Sequence, residues 1–149
     1  MEFTWDITLL TDKRWVNVKD PDWYAQQILD EDGLVQAALE KLGLKVHRTY
    51  WDDPEMDWTS TRFAMFRTTW DYFDHFGRFS QWLEETSELT RFLNPYSQVR
   101  WNMDKHYLVD LAARNIPIPP TLFIEAGDPH SLQKHLTDSG WERAVLKPA

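Results

Sequence analysis

There is no cysteine in the sequence, which removes disulfides, thiolate nucleophiles and thiolate metal sites from consideration. Glycine is scarce, at five residues, and no G-x-G-x-x-G or Walker-type phosphate loop can be assembled from them. Basic charge is short as well: 16 lysines and arginines face 24 acidic residues, for a net charge of -8. A protein that tracks a nucleic-acid backbone needs a basic face, so no nucleic-acid partner is expected. One or two well-placed cations can still hold a phosphate inside an acidic protein. No stretch approaches the ~18 apolar residues of a membrane span. The opening "MEFTWDITLL" has neither a basic n-region nor a long apolar segment, so no signal peptide is read there. The expectation is a cytoplasmic protein with no membrane partner.

Familiar catalytic spacings are also missing. The five histidines (His47, His75, His106, His130 and His135) form no HExxH. His130 and His135 flank a predicted surface helix and are read as solvated rather than as ligands. No serine sits in a G-x-S-x-G setting. No catalytic residue and no metal ligand is assigned within the chain.

What is present in excess is aromatic: 15% of 149 residues, nine of them tryptophan. A stacking surface for sugars or bases is one reading, but large apolar side chains more often fill cores. A total hydrophobic content of 42% makes such a core feasible. "TWDITLL" has strand composition. "DEDGLVQAALEKLGL" has helical spacing at Leu34, Ala37, Ala38 and Leu42, with Gly43 as the residue just past its end. Asp30, Glu31 and Asp32 at its start are read as capping and dipole-favoured residues rather than a metal cluster. "RWVNVKDPDWYAQQ" lies between these two elements and is read as an insertion. "KVHRTYW" and "RFAMFRTTW" are further strands. "DHFGRFSQWLEET" places Phe76, Phe79, Trp82 and Leu83 on one helical face, and "TRFLNP" is a short fourth strand. Strands alternating with helices imply crossovers and a parallel sheet covered on both faces. Residues 1–97 therefore read as a Rossmann-like α/β domain.

The pattern restarts over 98–149. "WNMDKHYLVDLAARN" reads as one helix with Asn102 as N-cap, "IPIPP" as a rigid connector and "TLFIE" as a strand. "DPHSLQKHLTD" is a short helix with Pro129 near its first turn, and "RAVLK" is a last strand. Two strands and two helices make a thin layer with unpaired edges, from which self-association as a homo-oligomer is expected.

Two lysines stand in awkward places. With Asn102 as N-cap, Lys105 falls in the first helical turn, where the macrodipole opposes a cation; Asp104 and solvent, or a bound anion, would each account for it. Lys147 ends the last strand, where it can snorkel from a sheet edge. Taken in order with "WNMDKHYLVDLAARNIPIPPTLFI", "WERAVLKPA", "YWDDPEMDW" and "FRTTWDYFDHFGRFSQWL", they resemble the ATP-grasp superfamily in its glutathione-synthetase-like branch. The resemblance covers most of 31–149. It implies a Rossmann-like pre-ATP-grasp domain followed by the opening α+β part of an ATP-grasp domain. It also implies that Lys105 and Lys147 reach the phosphates of ATP, and that the Mg²⁺ ligands lie on later strands, downstream of this chain.

On that basis the chain is expected to be the N-terminal part of an ATP-dependent carboxylate–amine or carboxylate–thiol ligase, acting through an acyl phosphate and inactive alone. Arg67, followed by Thr68 and Thr69, ends the third strand, where doubly wound sheets gather ligands. A guanidinium there can grip a substrate carboxylate with two hydrogen bonds, or form a salt bridge to Asp71 or Asp74. The rival expectation is a non-catalytic module that binds nucleotide as a signal or uses its aromatics for association.

Overall fold

Side-chain alternation along the first strand decides what covers the sheet. In β1 (Trp5–Thr11) Ile7, Leu9 and Thr11 project to one face and Thr8 and Leu10 to the other; Leu9 and Leu10 are both fully buried, so both faces are roofed. The structure, a computed structural model, describes residues 2–148. It divides into two compact units, the first ending at Val99 and the second beginning at Arg100.

The first unit is an α/β layer structure. β2 (Val46–Tyr50), β3 (Thr61–Thr68) and β4 (Arg91–Leu93) join β1 in a four-stranded sheet of order β2-β1-β3-β4, and every pairing is parallel. α1 (Trp23–Lys41) covers one face, where Val35 and Leu39 pack with Ile7, Leu9, Val46, Phe63 and Met65. α2 (Phe76–Ser87) covers the other. There Phe79 and Trp82 meet Phe66 at centroid distances of 6.1 and 6.2 Å, and Phe66 meets Phe92 at 5.1 Å. The core reading of the aromatic excess holds in part: Trp51, Trp58, Phe79 and Phe92 are buried, whereas Trp23, Trp70 and Trp101 are exposed.

α1 departs from its reading in three ways. It begins at Trp23, and its N-cap is Asp22, whose carboxylate accepts a 2.7 Å bond from the Ala25 amide; the last five residues of the expected insertion are its first helical residues. Its inward face runs Ala25, Ile28, Asp32, Val35, Leu39, while Leu34 and Leu42 are 73% and 76% exposed and Ala37 and Ala38 lie outside. An aspartate stands in the middle of the packed stripe, so counting apolar residues selects the wrong face. Accordingly Asp30, Glu31 and Asp32 are not a helix start at all. Gly43 does hold its expected place after the C-cap Leu42, with φ +83, a conformation that only glycine adopts without strain. On α2, Phe79 and Leu83 are buried as expected, whereas Phe76 is 46% exposed.

In the second part the expected long helix is two. α3 (Tyr96–Asn102) ends at Asn102, the expected N-cap, a turn follows over residues 103–106, and α4 spans Tyr107–Ala113. Buried Met103 sits in the turn. The connector 116–120 is non-helical as expected, and α5 (Leu132–Asp138) is capped by Ser131, leaving Pro129 outside the helix. The expected strands over 121–125 and 143–147 are absent: both segments lack ladder partners among the described residues. β-branched composition does not make a strand without a neighbouring backbone to accept its hydrogen bonds. No helix among the described residues is long and apolar enough to cross a membrane.

Candidate functional site at the carboxyl ends of strands one and three

In a sheet of this order the chain leaves β1 toward β2 on one side and finds β3 on the other. The crevice between the carboxyl ends of β1 and β3 is the switch point, where such sheets place ligands. The sequence makes that end polar. On the α1 face, apolar Ile7, Leu9, Val46, Phe63 and Met65 give way at the carboxyl ends to Thr11, Arg48 and Arg67. A register shift between Leu10 and Thr11 brings Thr11 opposite Thr68, and the two buried hydroxyls hydrogen-bond to each other. The Asp12 amide donates to the Thr68 carbonyl at 3.0 Å, which closes the two strand ends together.

Asp12 is buried, and its carboxylate accepts from the Arg14 amide at 2.8 Å and from Arg14 Nε at 2.9 Å. The hydrogen bond to Asp12 raises the Arg14 pKa, helped by the charges of Asp12, Asp71 and Asp74. The Asp71 carboxyl is pushed up by burial; the Trp51 indole N–H, donating at 3.1 Å, offsets part of this, and the neighbouring Asp12 charge adds to it. Trp15, Tyr24 and Trp70 form an aromatic chain at this end, with centroids 6.2 and 6.3 Å apart. Trp70 and Tyr24 remain 41% and 51% exposed.

Arg67, the expected carboxylate clamp, is committed elsewhere. Its Nε donates to Asp32 at 3.3 Å and its Nη2 to Glu31 at 2.6 Å, so its partners are neither Asp71 nor Asp74 but residues of α1. Arg48 meets the same Asp32 at 2.8 Å and also donates to the Trp15 carbonyl at 2.9 Å. Asp32 therefore holds two guanidiniums. Thr68 is spent on Thr11, whereas Thr69 begins the 3₁₀ turn Trp70–Phe73 without a side-chain capping bond. The more available guanidinium is Arg14, 63% exposed. It lies in the segment whose composition suggests an insertion; Asp12, capping the 3₁₀ turn Lys13–Trp15 directly after β1, is the sequence signal that marks it. Two concavities lie nearby or beyond, the first sharing Trp51 with the Asp71 contact. One of about 280 Å³ is lined by Trp51, Asp52, Trp58, Arg78 and Trp82. Another of about 680 Å³ includes Thr61 and Arg91, the first residues of β3 and β4, at the opposite end of the sheet.

The two lysines belong to the second unit. Lys105 lies in the turn before α4, not at a third helical position, and its carbonyl accepts from the Leu108 amide at 3.1 Å. Lys147 is exposed in a segment without strand pairing. Among the described residues neither ammonium makes an ion pair. Beside Lys105, Asp104 accepts from the His106 amide at 2.8 Å and contacts its Nδ1 at 2.6 Å; Nε2 meets Glu125 at 3.0 Å, and the ring stacks on Phe123 at 4.1 Å. Asp104 first, then Glu125, raise the His106 pKa above its ordinary 6.5. With the folded value raised, protonated His106 favours the folded state below pH about 6.5, and that contribution fades as pH rises through the folded midpoint. An NMR titration is expected to give a midpoint above 6.5 that falls in Asp104→Asn; a midpoint at or below the ordinary value contradicts this arrangement.

Residues 7–94 match the family described as the N-terminal domain of the D-cycloserine synthetase DcsG. The cycloserine biosynthesis protein DcsG of Streptomyces lavendulae is 33% identical over 90 residues, 60% of this chain and 30% of that protein. The crystal structure of D-cycloserine synthetase DcsG superimposes with a TM-score of 0.69 at 27% identity, covering 90% of this chain and 42% of that one. The chain thus spans less than half the length of the relatives it matches. The matched segment contains all but the first two residues of the four-stranded sheet, with the polar crevice at its carboxyl end, and on that ground the chain belongs to the DcsG N-terminal domain family.

Proposed function

We propose that this chain forms the substrate-side domain, and the start of the nucleotide-binding region, of an ATP- and Mg²⁺-dependent ligase of the ATP-grasp kind. Its first unit is the pre-ATP-grasp domain and residues 98–149 open the ATP-grasp domain. The observation that carries the reading is the family match over residues 7–94, which takes in all but the first two residues of the parallel sheet, whose switch point is lined with hydroxyls, a buried carboxylate and an available guanidinium. Phosphoryl transfer to a substrate carboxylate, giving an acyl phosphate, is the chemistry that bound ATP supplies. The residues of this chain do the holding. Lys105 and Lys147 offer two ammonium groups free of ion pairs among the described residues, a donor set that fits a polyphosphate. No carboxylate of the chain is assigned to Mg²⁺.

On the substrate side, Arg14 and Thr69 are the groups with donors to spare, and Arg67 with Thr68 keeps the strand ends in place for them. The solved relative bears the name of D-cycloserine, in keeping with a small carboxylate substrate. The rival reading, an association module, draws on exposed Trp23, Tyr24, Trp70 and Phe73.

The test uses the full-length parent. Lys105→Ala and Lys147→Ala are each expected to weaken ATP binding about 10-fold or more, the scale of one charge-assisted hydrogen bond, in a calorimetric titration. ATP affinity unchanged in both variants overturns the nucleotide assignment.

A further inference from the structure

α5 is preceded by a turn that places three metal-binding side chains together. Asp128, His130 and His135 each offer one donor atom, and these atoms lie within 4.8 Å of one another. His130 Nδ1 stands 3.0 Å from Asp128 Oδ1, and His135 Nε2 stands 3.2 Å from Asp128 Oδ2. Ligands about 2.0–2.2 Å from a tetrahedral zinc are separated by roughly 3.3 Å, so each imidazole already stands near that separation from one oxygen of Asp128, His130 from Oδ1 and His135 from Oδ2. The sequence separates the ligands by one and four residues (D-P-H-S-L-Q-K-H). The first pair is set by the turn, whose His130 amide donates to Asp128 at 2.8 Å; the second is set by the helix that Ser131 caps.

An independent observation concerns His135. Its side chain is only 17% exposed, and its buried Nε2 makes no well-aligned hydrogen bond among the described residues, only the 3.2 Å approach to Asp128 Oδ2. A buried imidazole nitrogen without a well-formed hydrogen bond is costly, and a metal ion held between it and Asp128 would satisfy it. The only other cation close by on α5, Lys134, bonds to Asp138 at 2.8 Å. The ring of His130 is 50% exposed, which leaves one side of the cluster open to water.

We infer that Asp128, His130 and His135 form a binding site for a divalent transition metal of the zinc class, with a fourth position open to solvent. Two imidazoles and one carboxylate suit zinc, and poorly suit Mg²⁺ or Ca²⁺, which prefer all-oxygen shells. This site uses none of the residues assigned to nucleotide or substrate. Its test therefore stands apart from the ligase reading.

Tag-free protein, stripped with chelator, is titrated calorimetrically with Zn²⁺ and, separately, with Mg²⁺. One equivalent of Zn²⁺ is expected to bind and Mg²⁺ is not; Co²⁺ in place of Zn²⁺ should give the visible absorption of a tetrahedral ion. His130→Ala, at an exposed ring, and Asp128→Asn should each weaken Zn²⁺ binding at least about 10-fold, with far-UV circular dichroism unchanged in the former. His75→Ala should bind as the parent does. No stoichiometric Zn²⁺ binding, or equal affinity in His130→Ala with its fold intact, overturns the site.

Discussion

Replacing Asp32 by alanine is expected to cost the first unit about 3–5 kcal/mol, the range for breaking a buried ion pair from one side. The carboxylate is 2% exposed, and its two partners, Arg48 and Arg67, are 16% and 21% exposed. Deletion removes one negative charge and strands two positive ones against the sheet. Arg67 retains Glu31 at 2.6 Å, and both guanidiniums can tilt toward water, so the lower end of the range is the better expectation. Asp32→Asn keeps the volume and some of the hydrogen bonding and should cost less. Urea unfolding of the two variants measures this directly. A loss below about 1 kcal/mol for Asp32→Ala would mean that the pairs are no stronger than exposed ones.

Phe79→Ala should be comparably damaging, at about 3–5 kcal/mol. The ring is 2% exposed and sits among Trp51, Phe66, Tyr72 and Trp82 at centroid distances of 5.2, 6.1, 5.4 and 5.5 Å. Rigid aromatic neighbours cannot collapse into the space it leaves, so the cavity persists. Phe76, one helical turn earlier and 46% exposed, supplies the control: Phe76→Ala should shift the urea midpoint far less. Equal shifts would show that α2 packs by a different face.

The four strands and α2 were legible because each carries its own signal: β-branched or aromatic runs for strands, and Phe79 and Leu83 at helical spacing for the helix. α1 was legible in kind but not in phase. Its most consequential inward residue is Asp32, which a hydrophobic pattern treats as solvent-facing, and its first turn shows Trp23 and Tyr24 to the outside. The same ambiguity of phase reaches the site: with Asp32 taken as a helix-start residue, the sequence shows Arg67 no partner on α1, and nothing in the composition around Arg14 sets it apart. In the second unit, local composition suggested strands at 121–125 and 143–147, but pairing is a property of two segments and cannot be read from one. The packing of His135 depends on the turn at Asp128, which spacing alone does not reveal.

One carboxylate ties β2 and β3, which do not touch, through a helix lying above the strand between them. Greasy surfaces slide over each other at little cost, yet here a shift of α1 by a single residue would present Glu31 or Gly33 to Arg48 and Arg67 instead of Asp32. The helix is thereby pinned to one setting along the strands, and the floor of the crevice with it. Any molecule that docks there meets a rigid seat, and whatever movement accompanies binding has to come from the loops around it.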